Sequence, residues 1–324
     1  MDDNGRVLHL RLISPADRTG EVLEVLDDCA GVTNVAVLPG AAHRPPGDLV
    51  LCDLARESAN EVIGRLEWLK DEGSIAAEQL DMALSRAAEE AVEEAPGDPD
   101  DAVVWEDLAQ KVHADSRITW AYLAFLGIAT QLAGIAVLQD SVILIVGAMV
   151  LGPEFGAVAA ICFGLLGGRL HLIIGAFRTL VAGFAFAIGL TFACAFVSYR
   201  LGWIGPESLR TNVEVGFIVT PDRWSFIVAV LAGAAGVLSV TAGKSSALIG
   251  VFISVTTVPA AGYMAVALAL GEWRAVAGSV SQLALNVLGM VIAGTATLWV
   301  QRKFWPQVGR RSSPGTRPHE HLGG

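Results

Sequence analysis

From residue 119 onward the chain carries six apolar stretches, at approximately 119–138, 142–166, 172–199, 225–243, 247–270 and 276–300. Each is long enough to cross a hydrocarbon core, which needs about 20 helical residues. Lipid offers the backbone no hydrogen bonds, so such runs predict an all-α bundle of six transmembrane helices. Composition agrees, with 53% hydrophobic residues, 17% charged residues and a mean hydropathy of +0.54. Most acidic residues precede Ser116, so the net charge of −11 describes a separate soluble part. That balance argues against nucleic acid as a partner, because phosphate binding needs clustered Lys and Arg. The lipid bilayer is the partner the sequence demands.

The amino-terminal region reads as a soluble α+β domain over residues 1–82. Residues 6–13 alternate like a half-buried strand, and Ser14-Pro15 opens a helix to about Cys29 with Val22, Leu23, Val25 and Leu26 on one face. Strands follow at 32–38 and 48–54 with GAAHRPPG as a loop between them. A helix at 57–71 carries Val62, Ile63, Leu66 and Leu69, and a weaker strand covers 74–80. The order β-α-β-β-α-β is the ferredoxin-like plan, whose edges and open sheet face suit sensing or homo-oligomerisation. Residues 83–101 read as an acidic linker, 102–117 as an amphipathic juxtamembrane helix, 118–301 as the membrane domain and 302–324 as a basic, disordered cytosolic tail. Cys29, Cys52, Cys162 and Cys194 lack metal-ligand spacing and read as reduced core residues. His9 and His43 have no second ligand nearby in sequence, so neither a metal nor a cofactor is expected.

The amino terminus has no basic start followed by an apolar run, and is expected in the cytoplasm. Six crossings return the carboxyl terminus to the same side of the cell inner membrane. Arg302, Lys303, Arg310, Arg311 and Arg317 in the tail, with Arg169 and Lys244 in the short inner loops, satisfy the positive-inside rule. Arg200, Arg210 and Arg223 flank the loop placed outside.

The second half of the membrane domain reads as a repeat of the first. Setting Pro259 against Pro153, an offset of 106 residues, aligns three spans and superposes a Pro-x-x-Gly, Gly156 on Gly262. A repeat of three crossings must be inverted across the membrane, as in many secondary transporters. Both prolines fall near mid-span, where each should kink or break its helix and free backbone groups. Paired interruptions point to a binding site, against the plainer reading of packing kinks eased by glycine. Gly152, Pro153, Glu154 and Gly156 in LGPEFG, and Ser254, Thr256, Thr257, Pro259 and Gly262 in SVTTVPAAG, are therefore the candidate substrate- or ion-binding residues. Glu154 is the clearest carboxylate at mid-membrane depth, and such a group is a functional candidate by default. Asn286 is a further candidate; Gln282, Gln131 and Thr241 are polar residues for the bundle interior.

The strings VVWEDLAQKV, SVILIVGAMVLGPEFGAVAAICFGL, VAVLAGAAGVLSVTAGKSSALIGVFISVTTVPAAGYMAVALALG and QLALNVLGMVIAG resemble the bacterial and archaeal family of domain of unknown function 389. The resemblance runs from roughly Trp105 to Trp299. It implies a hydrophobic membrane domain and no particular substrate. Family members typically carry a Pro-Leu-Met-Gly-Pro run after the GAM segment, whereas this chain reads Pro153-Glu154-Phe155-Gly156-Ala157. Glu154 thus lies outside what the resemblance implies.

Two function classes follow. The first is a multi-pass membrane transporter or channel with a cytosolic regulatory or oligomerisation domain, its ligand a small molecule or ion bound between the two Pro-x-x-Gly helices. The second is a membrane-anchored sensor or scaffold without transport. No H-E-x-x-H, paired aspartates or Ser-His partnership supports an enzyme, so catalysis is not expected.

Overall fold

The computed structural model describes residues 7–80, 85–87, 90–91, 105–210, 223–242 and 255–308. The chain divides into two compact units, one of residues 1–107 with 302–324 and one of residues 108–301.

In the first unit the elements run β1 (Val7–Ser14), α1 (Thr19–Asp28), β2 (Val32–His43), β3 (Pro46–Ala55), a 3-10 turn (Arg56–Ser58), α2 (Ala59–Arg65), α3 (Leu69–Glu72) and β4 (Ser74–Gln79). The sheet order is β2-β3-β1-β4 with every neighbouring pair antiparallel. Side chains alternate along a strand, so Leu8, Leu10 and Leu12 of β1 and Val50, Cys52 and Leu54 of β3 share one face. Against them pack Val22 and Leu26 of α1 with Val62, Ile63, Leu66 and Leu69, forming one buried core. The opposite face keeps His9, Arg11, Leu49, Leu51 and Asp53, and His9 Nδ1 lies 2.7 Å from Asp53 Oδ1.

Two local expectations are corrected. GAAHRPPG is not an open loop: β2 and β3 extend through it as a hairpin that pairs His43 with Pro46. The hairpin bends at Gly40, whose positive φ of 64° suits a residue without Cβ. Its N–H donates to Asp48 Oδ1 at 2.8 Å. The single helix expected at 57–71 is split at residues 66–68. There Leu69 N–H reaches back three residues to the Leu66 carbonyl, a tighter turn that points both leucines into the core.

In the second unit lie α4 (Trp105–Asp115, which begins in the first), α5 (Trp120–Leu138), α6 (Val142–Leu151), α7 (Glu154–Gly167), α8 (Leu170–Arg200), α9 (Glu207–Arg210), α10 (Arg223–Thr241), α11 (Thr257–Leu270) and α12 (Trp273–Val308, whose last residues count with the first). Among the described residues four helices are long and apolar enough to cross a membrane, or five when α6 and α7 count as one bent span. The expected span at 247–270 is described only from Val255, and α11 has 14 residues. α12 also runs on through Val308, so the first residues of the expected disordered tail are helical. The outward side chains are apolar, Ile128, Phe177 and Leu231 being 56%, 58% and 63% exposed, while Thr130, Thr257 and Gln282 are fully buried. Apolar outside and polar inside, these are the helices of a membrane protein.

Small residues bring the helices together. A Cβ on Gly262 of α11 would fall 2.7 Å from Ala133 Cβ and Gly134 N of α5, and one on Gly233 of α10 would fall 2.5 Å from the Met290 carbonyl oxygen of α12. The order of contacts fixes helix directions. Tyr122 meets Gly183 and Gly134 meets Thr191, so α5 and α8 run the same way. Gly233 meets Met290, Val237 meets Gly294 and Thr241 meets Gln301, so α10 and α12 do too.

Element starts recur at a constant interval. α7 and α11, and α8 and α12, each begin 103 residues apart (257 − 154 = 103 for the first pair). Gly168 and Gly271, both left-handed caps with φ of 64° and 75°, end α7 and α11 at the same interval. The 106-residue offset drawn from the prolines is therefore three residues out of register with the helices. Pro153 is the residue before α7, and Pro259 is the third residue of α11.

Candidate functional site

The break between α6 and α7 follows from Pro153. Proline offers no N–H to the preceding turn and drives the residue before it out of the helical region. Gly152 is accordingly extended, with φ −69° and ψ 120°, and α7 departs at 52° to α6. Gly152 also makes room: a Cβ there would lie 2.3 Å from Glu154 Oε2 and 2.8 Å from Val258 Cγ2. Pro259 breaks nothing among the described residues. The first N–H groups of a helix have no intrahelical acceptor, so a proline in the first turn loses no bond.

Glu154, the first residue of α7, is 6% exposed, and Thr257, the first residue of α11, is fully buried. The Thr257 hydroxyl donates a short hydrogen bond to Glu154 Oε1. Residues that begin two helices 103 positions apart thus meet each other. Beside them Gln282 Nε2 and Asn286 Nδ2, one turn apart on α12, both donate to Thr256 Oγ1, at 2.9 and 3.0 Å. Glu154 Oε2 and Gln282 Oε1 are buried without a hydrogen-bond partner among the described residues. A buried acceptor left unmade is costly, and two so close in sequence to one polar cluster mark it as incomplete.

A cavity of about 340 Å³ borders the break, walled by Pro153, Phe155, Gly156 and Ala159 of the α7 start, Tyr122 and Phe125 of α5, Arg117, Thr119 and Val240. Thr119 caps α5 by accepting the Tyr122 N–H at 3.0 Å. The Tyr122 phenol is buried against Gly183 and lacks a hydrogen-bond partner among the described residues.

Of the residues singled out in the sequence, Glu154, Thr256, Thr257 and Asn286 come together, joined by Gln282. Gly152 and Pro153 form the break, and Gly156 lines the cavity. Pro259 sits in the first turn of α11, and Gly262 serves the α5–α11 crossing instead of the site. Ser254 lies outside the described residues. Gln131 donates to Cys194 Sγ at 3.0 Å and Thr241 accepts from Gln301 at 3.0 Å, so both are helix-to-helix bonds elsewhere. Cys194 is exposed, unlike the other three cysteines, and is no core residue. Tyr122 and Arg117 were not legible: aromatic and basic residues at the start of a span read equally well as interfacial anchors.

Residues 149–292 match the family described as Domain of unknown function (DUF389). The chain is also 30% identical over 132 residues to an uncharacterized protein of Methanocaldococcus jannaschii, a stretch covering 41% of this chain and 39% of that protein. No solved structure matches the chain. The matched stretch, less than half of the chain, runs from Met149, just ahead of the break, past Asn286, and over it the chain is similar to the DUF389 family.

Proposed function

We propose that the chain is a multi-pass transporter or channel of the cell inner membrane whose site lies where α7 and α11 begin. One observation carries the reading: the first residues of two broken or shortened helices, Glu154 and Thr257, bond to each other inside an apolar bundle, with Glu154 Oε2 unpartnered. Interrupted helices at corresponding positions of two repeats are how secondary transporters form their sites. An inverted 3+3 repeat of six spans is supported by the constant interval and by the helix directions. α5 and α8 rise together, α10 and α12 rise together, and the start of α5 shares a cavity with the end of α10. In this reading the amino-terminal unit is a ferredoxin-like cytosolic domain that regulates or oligomerises the bundle, and both termini are cytoplasmic.

The second reading, a sensor or scaffold, is favoured by the dry glycine crossings at Gly233 and Gly262. Water access separates the two. In protein freed of its native cysteines, Gly156→Cys, which keeps Pro153 and lines the cavity, is expected to react with a membrane-impermeant thiol reagent from one side of sealed vesicles. A Gly156→Cys that stays unmodified from both sides, while reacting in denaturant, sinks the transport reading.

A further inference from the structure

We infer that the cavity beside the α7 break binds a small organic anion, a monocarboxylate with an apolar body. The cavity adjoins the site proposed above at the start of α7, and the inference rests on that reading. The cavity wall carries one charged side chain, Arg117, which is exposed and has no ion pair among the described residues. Tyr122 adds a second group: it is 6% exposed, and its phenol oxygen, a natural donor to a carboxylate, has no hydrogen-bond partner among the described residues. The third contribution is the start of α7, a helix of 14 residues whose first turn forms one wall at Phe155 and Gly156. Helix amino termini carry partial positive charge and favour anions. Gly156 has no side chain to keep a ligand from that backbone.

Glu154 forms no part of the cavity wall: its Oε1 accepts from Thr257 and its Oε2 lies against Gly152. Among the described residues no acidic side chain lines the cavity, which sets the sign of the ligand. The rest of the lining, including Val112, Phe125, Ala159 and Val240, is apolar, which sets its body. The volume, about 340 Å³, stands at the small end of ligand pockets.

The test is equilibrium titration of the purified full-length protein in detergent with butyrate, hexanoate and benzoate, each beside its neutral amide. At least one carboxylate should bind, with its amide about tenfold weaker or worse, since a charged hydrogen bond is lost. Arg117→Gln and Tyr122→Phe should each weaken that carboxylate by about tenfold while neither lowers the thermal transition. No binding by any of the three acids, equal affinity for acid and amide, or unchanged affinity in both variants overturns the inference. Water access to the break is read by Gly156→Cys labelling and ligand class by the titration, so failure of the transport reading and failure of this one are separately visible.

Discussion

Glu154→Gln and Gly262→Ala, two small substitutions, separate the site from the packing around it. Glutamine still offers Thr257 an acceptor oxygen and puts a neutral amide where the titratable carboxylate stood. A buried unsatisfied group costs roughly 1–3 kcal/mol, more when charged. Glu154→Gln is therefore expected to raise the unfolding temperature of the purified protein while abolishing transport; a lower transition would mean that the charge itself holds the helices. Gly262→Ala has the opposite signature. Its Cβ would press on Ala133 and on the Gly134 backbone, and overpacking of that kind costs about 1–3 kcal/mol. Thermal unfolding should report the loss, with residual function in whatever still folds. In the first unit, Asp48 accepts from the Gly40 N–H and the Thr19 hydroxyl, which hold its carboxyl below the usual range. A carboxylate with a lowered folded value stabilises the native state above its unfolded value, about pH 4, and that contribution fades as the pH falls through the folded value. Asp48→Asn should flatten this acid dependence when unfolding is followed against pH. Burial pushes the Cys52 thiol up to about 12, so it should resist alkylation at pH 8 until the unit unfolds.

At the scale of elements, patterning was read well where one face of a strand or helix is buried. Leu8, Leu10, Val62, Ile63, Leu66 and Leu69 all fall in the core on period-two or helical spacing. It was read less well where one residue type has two uses. Proline ends a helix when its ring meets a preceding turn, as at Pro153, and is harmless in a first turn, as at Pro259; the string Pro-x-x-Gly does not say which. Matching the two prolines therefore displaced the repeat by three residues. It also hid the pairing of Glu154 with Thr257, which a 103-residue interval makes plain. The correction changes an expectation. A mid-helix proline costs about 3 kcal/mol, but Pro259→Ala should shift stability by less than about 1 kcal/mol, because no helical bond is gained. A large gain on thermal unfolding would mean that α11 continues backward before Thr257. β2 poses another question at this scale. It is an edge strand of 12 residues with Val35, Val37 and Leu38 exposed, a surface that soluble proteins normally cover.

For the membrane unit as a whole, the arrangement of turns gives a test that needs no ligand. Leu138 and Leu144 flank the α5–α6 turn, and Leu270 and Val276 flank the α11–α12 turn; all four pack in one hydrophobic cluster. Asp140 and Glu272 therefore belong to the same end of the bundle. α7 starts at the shared Glu154–Thr257 point, as α11 does, yet its far end lies against Arg169 and Ile173 at the start of α8. Since α8 runs parallel to α5, that start lies at the end where α5 begins, opposite Asp140. Arg169 is the basic residue there, and basic turns stay inside. Single cysteines in a cysteine-free background should resolve the arrangement. Asp140→Cys and Glu272→Cys are expected to react with an impermeant maleimide on intact cells stripped of their outer layer, and Arg169→Cys only in inverted vesicles. If Asp140→Cys and Arg169→Cys react from the same face, α6–α7 is a re-entrant hairpin and not a crossing. The first half then has two spans in place of three, and an inverted repeat of three and three is no longer possible.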